Sequence, residues 1–132
     1  NEQHGEAIMN TAFTLLLMIF CHIIADYNLQ GWLASAKQKS YWDENVQGKE
    51  YRHDYIMALF MHSFEWSFMI MLPIAYNYKF NIDPWFVVFF YINVFTHMLV
   101  DHMKANLKNI NLCQDQAIHL IQIFVTFLEL RN

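Results

Sequence analysis

Apolar residues come in four blocks separated by polar stretches. Residues 7–27, 55–76, 84–103 and 112–130 are dominated by Leu, Ile, Met, Phe and Val. A helix crosses the hydrocarbon layer of a bilayer with about 20 mainly apolar residues, at ~1.5 Å per residue. The first three blocks reach that length. The fourth is shorter and carries Gln114, Asp115 and Gln122. Helices of a soluble bundle keep a wide polar stripe, and segments such as Thr14–Cys21 and Phe68–Leu72 leave no room for one. The expected architecture is therefore all-α: a single integral membrane four-helix bundle over residues 1–132, built from two helical hairpins.

Local signals refine this picture. Asp83-Pro84-Trp85 reads as the start of the third helix, because Pro is tolerated in the first turn and Trp favours the membrane interface. Pro73 lies inside the second helix and is expected to kink it. Segment 31–42, GWLASAKQKSYW, mixes Trp32, Leu33, Tyr41 and Trp42 with Lys37 and Lys39. That mixture suits a short interfacial helix in the first loop, with its lysines snorkelling to the headgroups.

Composition narrows the class further. Apolar residues make up 56% of the 132 residues, with only three Gly and two Pro, which favours helices over a β-rich or disordered chain. The net charge of −4 argues against nucleic acid as a partner. Cys21 and Cys113 make no C-x-x-C pair and read as free thiols. The start lacks a basic region before its apolar block, so no cleavable signal peptide is expected. Loops 28–54 and 104–114 hold Lys37, Lys39, Lys49, Arg52, Lys104 and Lys108, against Lys79 and Arg131 on the other side. The positive-inside rule then puts the two long loops in the cytoplasm and both termini outside.

The polar residues within the apolar blocks carry the chemistry. Phe20-Cys21-His22-Ile23-Ile24-Ala25-Asp26 parallels Phe95-Thr96-His97-Met98-Leu99-Val100-Asp101, a short internal repeat relating the two hairpins. His and Asp four apart share one helix face, one turn from each other. The second helix answers with His62 and Glu65, and the fourth with Asp115 and His119. Counted from the helix ends, His22, His62, His97 and His119 all lie ~7–14 Å inside the cytoplasmic surface. Asp26, Asp101 and Asp115 lie nearer the surface, so four helices deliver His and carboxylate to one layer.

Charged groups inside a membrane are costly, and they face the bundle interior to pair with each other or with an ion. Three readings of the cluster follow: a bound metal ion, a proton or cation pathway, or a His–Asp network that fixes helix packing. The metal reading leads, with His22, Asp26, His97, Asp101, Asp115 and His119 as ligands and His62 as a further ligand or general base. Mixed imidazole and carboxylate donors suit Zn²⁺, with Mn²⁺ or Fe²⁺ as alternatives, better than Ca²⁺ or Mg²⁺. Seven candidates exceed a closed zinc site, so some belong to an outer shell or there are two ions. A metal here lowers the pKa of its bound water and supplies a nucleophile. Lys104, a catalytic candidate, and Lys37 are placed to hold an anionic group such as phosphate. His53 and His102 fall at helix ends as solvated residues, His4 lies in a polar tail, and Gln30 is placed to hydrogen-bond an Asp or a substrate.

His22-x-x-x-Asp26-Tyr27-x-Leu29-Gln30, Lys37, His62, His97-x-x-x-Asp101-x-x-Lys104 and Asp115-Gln116-x-x-His119 together resemble the family known as domain of unknown function 3307. That resemblance runs from about residue 12 to 128 and implies a small integral membrane protein of bacteria or their phages, in the cytoplasmic membrane. The His and Asp residues at helix ends are also remotely similar to membrane-bound metal-dependent hydrolases. This likeness implies hydrolysis of a phosphoester or lipid-linked substrate, by analogy alone. The expected partner is the lipid bilayer, with a homo-oligomer or larger membrane complex compatible with so small a bundle. No Gly-x-x-x-Gly motif marks a helix dimer.

Overall fold

A computed structural model describes residues 2–131, with side chains from residue 10 onward, so the side chain of His4 lies outside the described residues. Six α-helices are seen among the described residues, and no strands. They are α1 (Glu2–Ile23), α2 (Leu33–Ala36), α3 (Lys39–Asn45), α4 (Asp54–Asn77), α5 (Pro84–His102) and α6 (Leu112–Leu130). Helix α1 runs straight into a π-helical turn, Ile24–Asn28, and α5 into another, Met103–Leu107. The stretch before residue 7, expected as a polar tail, is helical from Glu2.

The helix ends follow from local chemistry. Asp83 caps α5 by accepting a 2.8 Å hydrogen bond from the Phe86 amide, with Pro84 in the first turn. Asn111 and Gln114 form a reciprocal capping box at the start of α6, satisfying two donors that the helix itself leaves unpaired. Helix α4 continues through Pro73 and ends in a Schellman turn. The Phe80 amide donates to the Ala75 carbonyl and the Lys79 amide to that of Tyr76, with Lys79 and Phe80 both at positive φ. Beside this turn the Tyr78 hydroxyl donates to the Leu130 carbonyl, tying the far ends of α4 and α6 together. Burial, with Asp83 nearby, pushes the Tyr78 phenol up and keeps it a donor.

Helix α4 packs against α1 and α5, while α6 packs against α5, α1 and α4. Among the described residues, three stretches are long and apolar enough to cross a membrane: Asn10–Asn28, Lys49–Asn77 and Pro84–Leu107. Helix α6 is not among them, where the sequence had suggested a fourth span. Four of its polar residues nevertheless turn inward: Asp115, His119, Gln122 and Thr126 are buried, while Gln114 and Glu129, near its two ends, are exposed.

Burial is inverted relative to a water-soluble protein. Large apolar side chains are exposed along every long helix, including Phe13, Leu16 and Phe20 on α1, Met61 and Phe68 on α4, Ile92 and Phe95 on α5, and Ile121 and Phe124 on α6. The polar side chains His22, His62, Asn93, His97, Asp101, Asp115, His119 and Gln122 are inside. In water such an exposed apolar surface is a liability, whereas hydrocarbon drives polar groups to find partners within the bundle. The inversion is the signature of an integral membrane protein. An apolar plug of Met18, Ile70, Ile74, Phe89, Ile123, Phe127 and Leu130 fills the half remote from the His–Asp layer.

The first loop departs from the simple interfacial helix. Two short helices, α2 and α3, pack on α4. Trp32, Tyr41 and Trp42 make edge-to-face contacts with centroids 5.5–6.3 Å apart. The Trp42 indole donates to the Ala36 carbonyl at 2.7 Å. Asn106, on the π turn after α5, accepts from the Lys39 amide and donates to the Lys37 carbonyl, clamping the link between α2 and α3. Lys37 therefore points inward rather than snorkelling among headgroups.

Candidate metal centre

Helical spacing assembles the site. His97 and Asp101 lie one turn apart on α5, and Asp115 and His119 one turn apart on α6, while His62 faces them from α4. Asp26 enters from the π turn after α1, a local widening of the kind often found at functional sites. His62 Nε2 is 3.2 Å from Asp26 Oδ1 and 3.5 Å from Asp101 Oδ2. His97 Nε2 is 3.5 Å from Asp101 Oδ2 and 3.8 Å from Asp26 Oδ1. His119 Nε2 is 3.2 Å from Asp115 Oδ1 and 3.4 Å from Asp101 Oδ1. Three imidazoles thus turn their Nε2 atoms toward three carboxylates.

Among the described residues, three overlapping sets of donor atoms are close enough to hold an ion: Asp26, His62 and His97; His97, Asp101 and His119; and Asp26, Asp115 and His119. The clearest sign that the layer can coordinate a metal is its unsatisfied atoms. His97 Nε2, His119 Nε2 and Asp115 Oδ1 are buried without a hydrogen-bond partner among the described residues. Buried polar atoms without partners are rare and need an explanation such as an ion or a water.

Surrounding residues orient these donors. Gln122 Oε1 lies 3.1 Å from His119 Nδ1, while the Gln122 amide nitrogen donates to Asn93. The Asn93 amide in turn donates to the Thr126 hydroxyl, which donates to the Gln122 carbonyl. With the Gln122 oxygen as acceptor, the proton of neutral His119 sits on Nδ1 and leaves the Nε2 lone pair facing two carboxylate oxygens. A lone pair in that position needs a cation, either a proton or a metal. Trp66 is a buried platform whose ring stacks on His97 with centroids 4.2 Å apart, and the His97 ring stacks on His119 at 4.1 Å.

His22 plays a different part. Its Nδ1 accepts a 2.8 Å hydrogen bond from the Trp66 indole, and its Nε2 lies 2.8 Å from Gln116 Oε1. Because an indole can only donate, the His22 proton must be on Nε2 and points to Gln116. Gln116 then donates from its amide nitrogen to Asp26 Oδ2 at 3.1 Å and Asp115 Oδ2 at 3.0 Å. Both ring nitrogens of His22 are engaged, and it belongs to none of the three donor sets.

The lysines approach from the end of the layer that faces the two long loops. Lys37 Nζ is 2.9 Å from Asp101 Oδ2, and Lys104 Nζ is 3.5 Å from Asp115 Oδ2. Gln30 donates to the Asp26 backbone carbonyl rather than to a side chain. His102 stacks on Tyr55 and lies 3.1 Å from the Asn106 amide, and His53 is exposed, so neither joins the cluster. Glu65 is half-buried and outside the donor sets.

Sequence reasoning did not single out Trp66, Asn93 or Thr126, and gave Gln116 and Gln122 no role. The signal was present in the helical period. Trp66 follows His62 by four residues, Asn93 precedes His97 by four, and Gln122 follows His119 by three, each on the face already marked by the histidine.

The model of the family described as "protein of unknown function (DUF3307)" matches residues 13–131. The chain belongs to the DUF3307 family. That match runs from Phe13, within α1, through α6, and so takes in the whole His–Asp layer and both lysines. No curated protein and no solved structure matches the chain. The remote likeness to metal-dependent hydrolases thus finds no support among the comparisons.

Proposed function

We propose that this DUF3307 protein is a membrane-embedded metal-binding protein whose His–Asp layer holds a divalent transition-metal ion near the cytoplasmic face. The carrying observation is the convergence of three His Nε2 atoms on three carboxylates, with three of the donor atoms buried and unpartnered. Asp26, His62, His97, Asp101, Asp115 and His119 serve as ligands. His22 acts through Gln116, holding two of the carboxylates. A mixed nitrogen and oxygen donor set favours zinc, with manganese or iron next.

The protein spans the bacterial cytoplasmic membrane four times, with the long loops in the cytoplasm. Support for the fourth span is the orientation of α6, whose Asp115, His119, Gln122 and Thr126 face inward and whose exposed face carries Leu120, Ile121, Phe124 and Val125. Metal-assisted hydrolysis is the chemistry such a centre lends itself to, with Lys104 near the reacting group. A second reading is a packing network with no ion, favoured by the direct Lys37–Asp101 and His62–Asp26 contacts. A proton or cation pathway is disfavoured by the apolar plug.

Elemental analysis of protein purified in mild detergent without chelator tests the proposal, beside a His97→Ala/His119→Ala variant checked for helicity. Stoichiometric metal in the parent and its loss from the folded variant is the expected result. Metal-free parent protein of undiminished stability would instead establish the packing network. Offering the loaded parent a chromogenic phosphoester addresses hydrolysis. Turnover that disappears with the metal supports that chemistry, and its absence across zinc, manganese and iron removes it.

A further inference from the structure

Beside the His–Asp layer, a cavity of about 360 Å³ is lined by Gln30, Lys37, Gln38, Asp101, Lys104 and Lys108. It falls in the size range of small-molecule sites. Its position is informative, because Asp101 both lines this cavity and belongs to a set of metal-capable donors. Three lysines line it: Lys37 and Lys104, whose ammonium groups are paired to carboxylates of the layer, and Lys108, an exposed αL residue.

We propose that this cavity binds the phosphate group of a phosphomonoester or free phosphate. The inference rests on the metal reading. With neutral imidazoles, Asp26, Asp101 and Asp115 contribute three negative charges, and Lys37 and Lys104 two positive ones. A divalent ion turns that net charge of −1 into +1. Uncompensated charge in a buried or half-buried layer is costly, so a loaded centre draws an anion. The carboxylates then turn to the metal, and the ammonium groups of Lys37 and Lys104 are released to face the cavity. Phosphate fits this better than a carboxylate ligand, because three ammonium donors match its several acceptor oxygens. Gln30 Oε1, buried and without a hydrogen-bond partner among the described residues, is placed to accept from the hydroxyl of a monoprotonated phosphate or a neighbouring substrate hydroxyl.

The test is calorimetric titration of inorganic phosphate into detergent-solubilised protein whose metal content has been measured on the same sample. Parent protein is compared with Lys104→Gln/Lys108→Gln and with Lys104→Arg/Lys108→Arg. Saturable binding by the loaded parent, at least tenfold weaker in the Gln variant and retained in the Arg variant, is expected. A loaded parent that binds no phosphate, or a folded Gln variant that binds as tightly as the parent, overturns the proposal while leaving the metal centre standing. Failure of the metal reading shows separately, as a sample without metal. A competition arm identifies the source of the phosphate group. Displacement by phosphatidic acid in mixed micelles, but not by phosphatidylcholine, assigns the cavity to a lipid headgroup, and absence of displacement assigns it to a soluble phosphate; both follow from the proposal.

Discussion

At His119 the ring orientation is set from outside the site. Gln122 Oε1 accepts from Nδ1 of the neutral ring, Asn93 and Thr126 hold Gln122, and the remaining nitrogen is aimed at Asp101 and Asp115. Loss of such an outer partner lowers metal affinity by about 10–100-fold in other sites. Gln122→Leu preserves volume and removes the acceptor, so it should weaken zinc binding by roughly 10–100-fold. Competition against a chromophoric chelator reads this directly. Unchanged affinity in a folded Gln122→Leu protein would mean that His119 is not a ligand or that its tautomer does not matter. Trp66 and Gln116 act comparably on His22, and their absence from a reading of the sequence has a physical cause. An indole or an amide in an apolar helix looks like ordinary core or interface until its partner across the bundle is known.

The helices carried their own signals more openly than the side-chain roles did. Asp83-Pro84 and the period-four His–Asp pairs are local features, and the structure uses both. The inward turn of Lys37 was not legible, because it depends on Asn106 reaching back from the end of α5 across 69 residues. The π turns after α1 and α5 were equally hidden, since nothing in Ile24–Asn28 or Met103–Leu107 distinguishes five-residue from four-residue hydrogen bonding. The Schellman turn between α4 and α5 carries a cost at the same scale. Lys79 sits at φ 53°, where glycine is the usual residue. Relief of the left-handed strain, less the extra chain entropy of glycine, should make Lys79→Gly more stable by roughly 0.5–1 kcal/mol. Reversible denaturation in mixed micelles measures it, with Lys79→Ala as control. An equal gain from alanine would trace the effect to the lost charge rather than to the backbone.

For the whole molecule, the decisive question is on which side of the membrane the His–Asp layer and the lysine-lined cavity open. The chain's own thiols provide the probe. Cys113 is exposed in the first turn of α6, whereas Cys21 is buried beside His22. Lysine and arginine are enriched on the cytoplasmic side of membrane proteins, and six of the eight basic residues lie in the two loops that flank the layer. A membrane-impermeant maleimide should therefore label Cys113 in inverted vesicles and not in intact cells, with Cys113→Ser as the unlabelled control. Labelling in intact cells would place the cavity on the outer surface. The other end of α6 tests its passage through the bilayer. Nineteen residues rise about 28 Å, close to the ~30 Å of the hydrocarbon core. A Cys113→Ser/Arg131→Cys protein should thus be labelled from the opposite side to the native thiol. Labelling of both positions from one side would leave three spans, with α6 lying against the bundle from one leaflet. Its exposed Ile121, Phe124 and Val125 would then need cover from another chain.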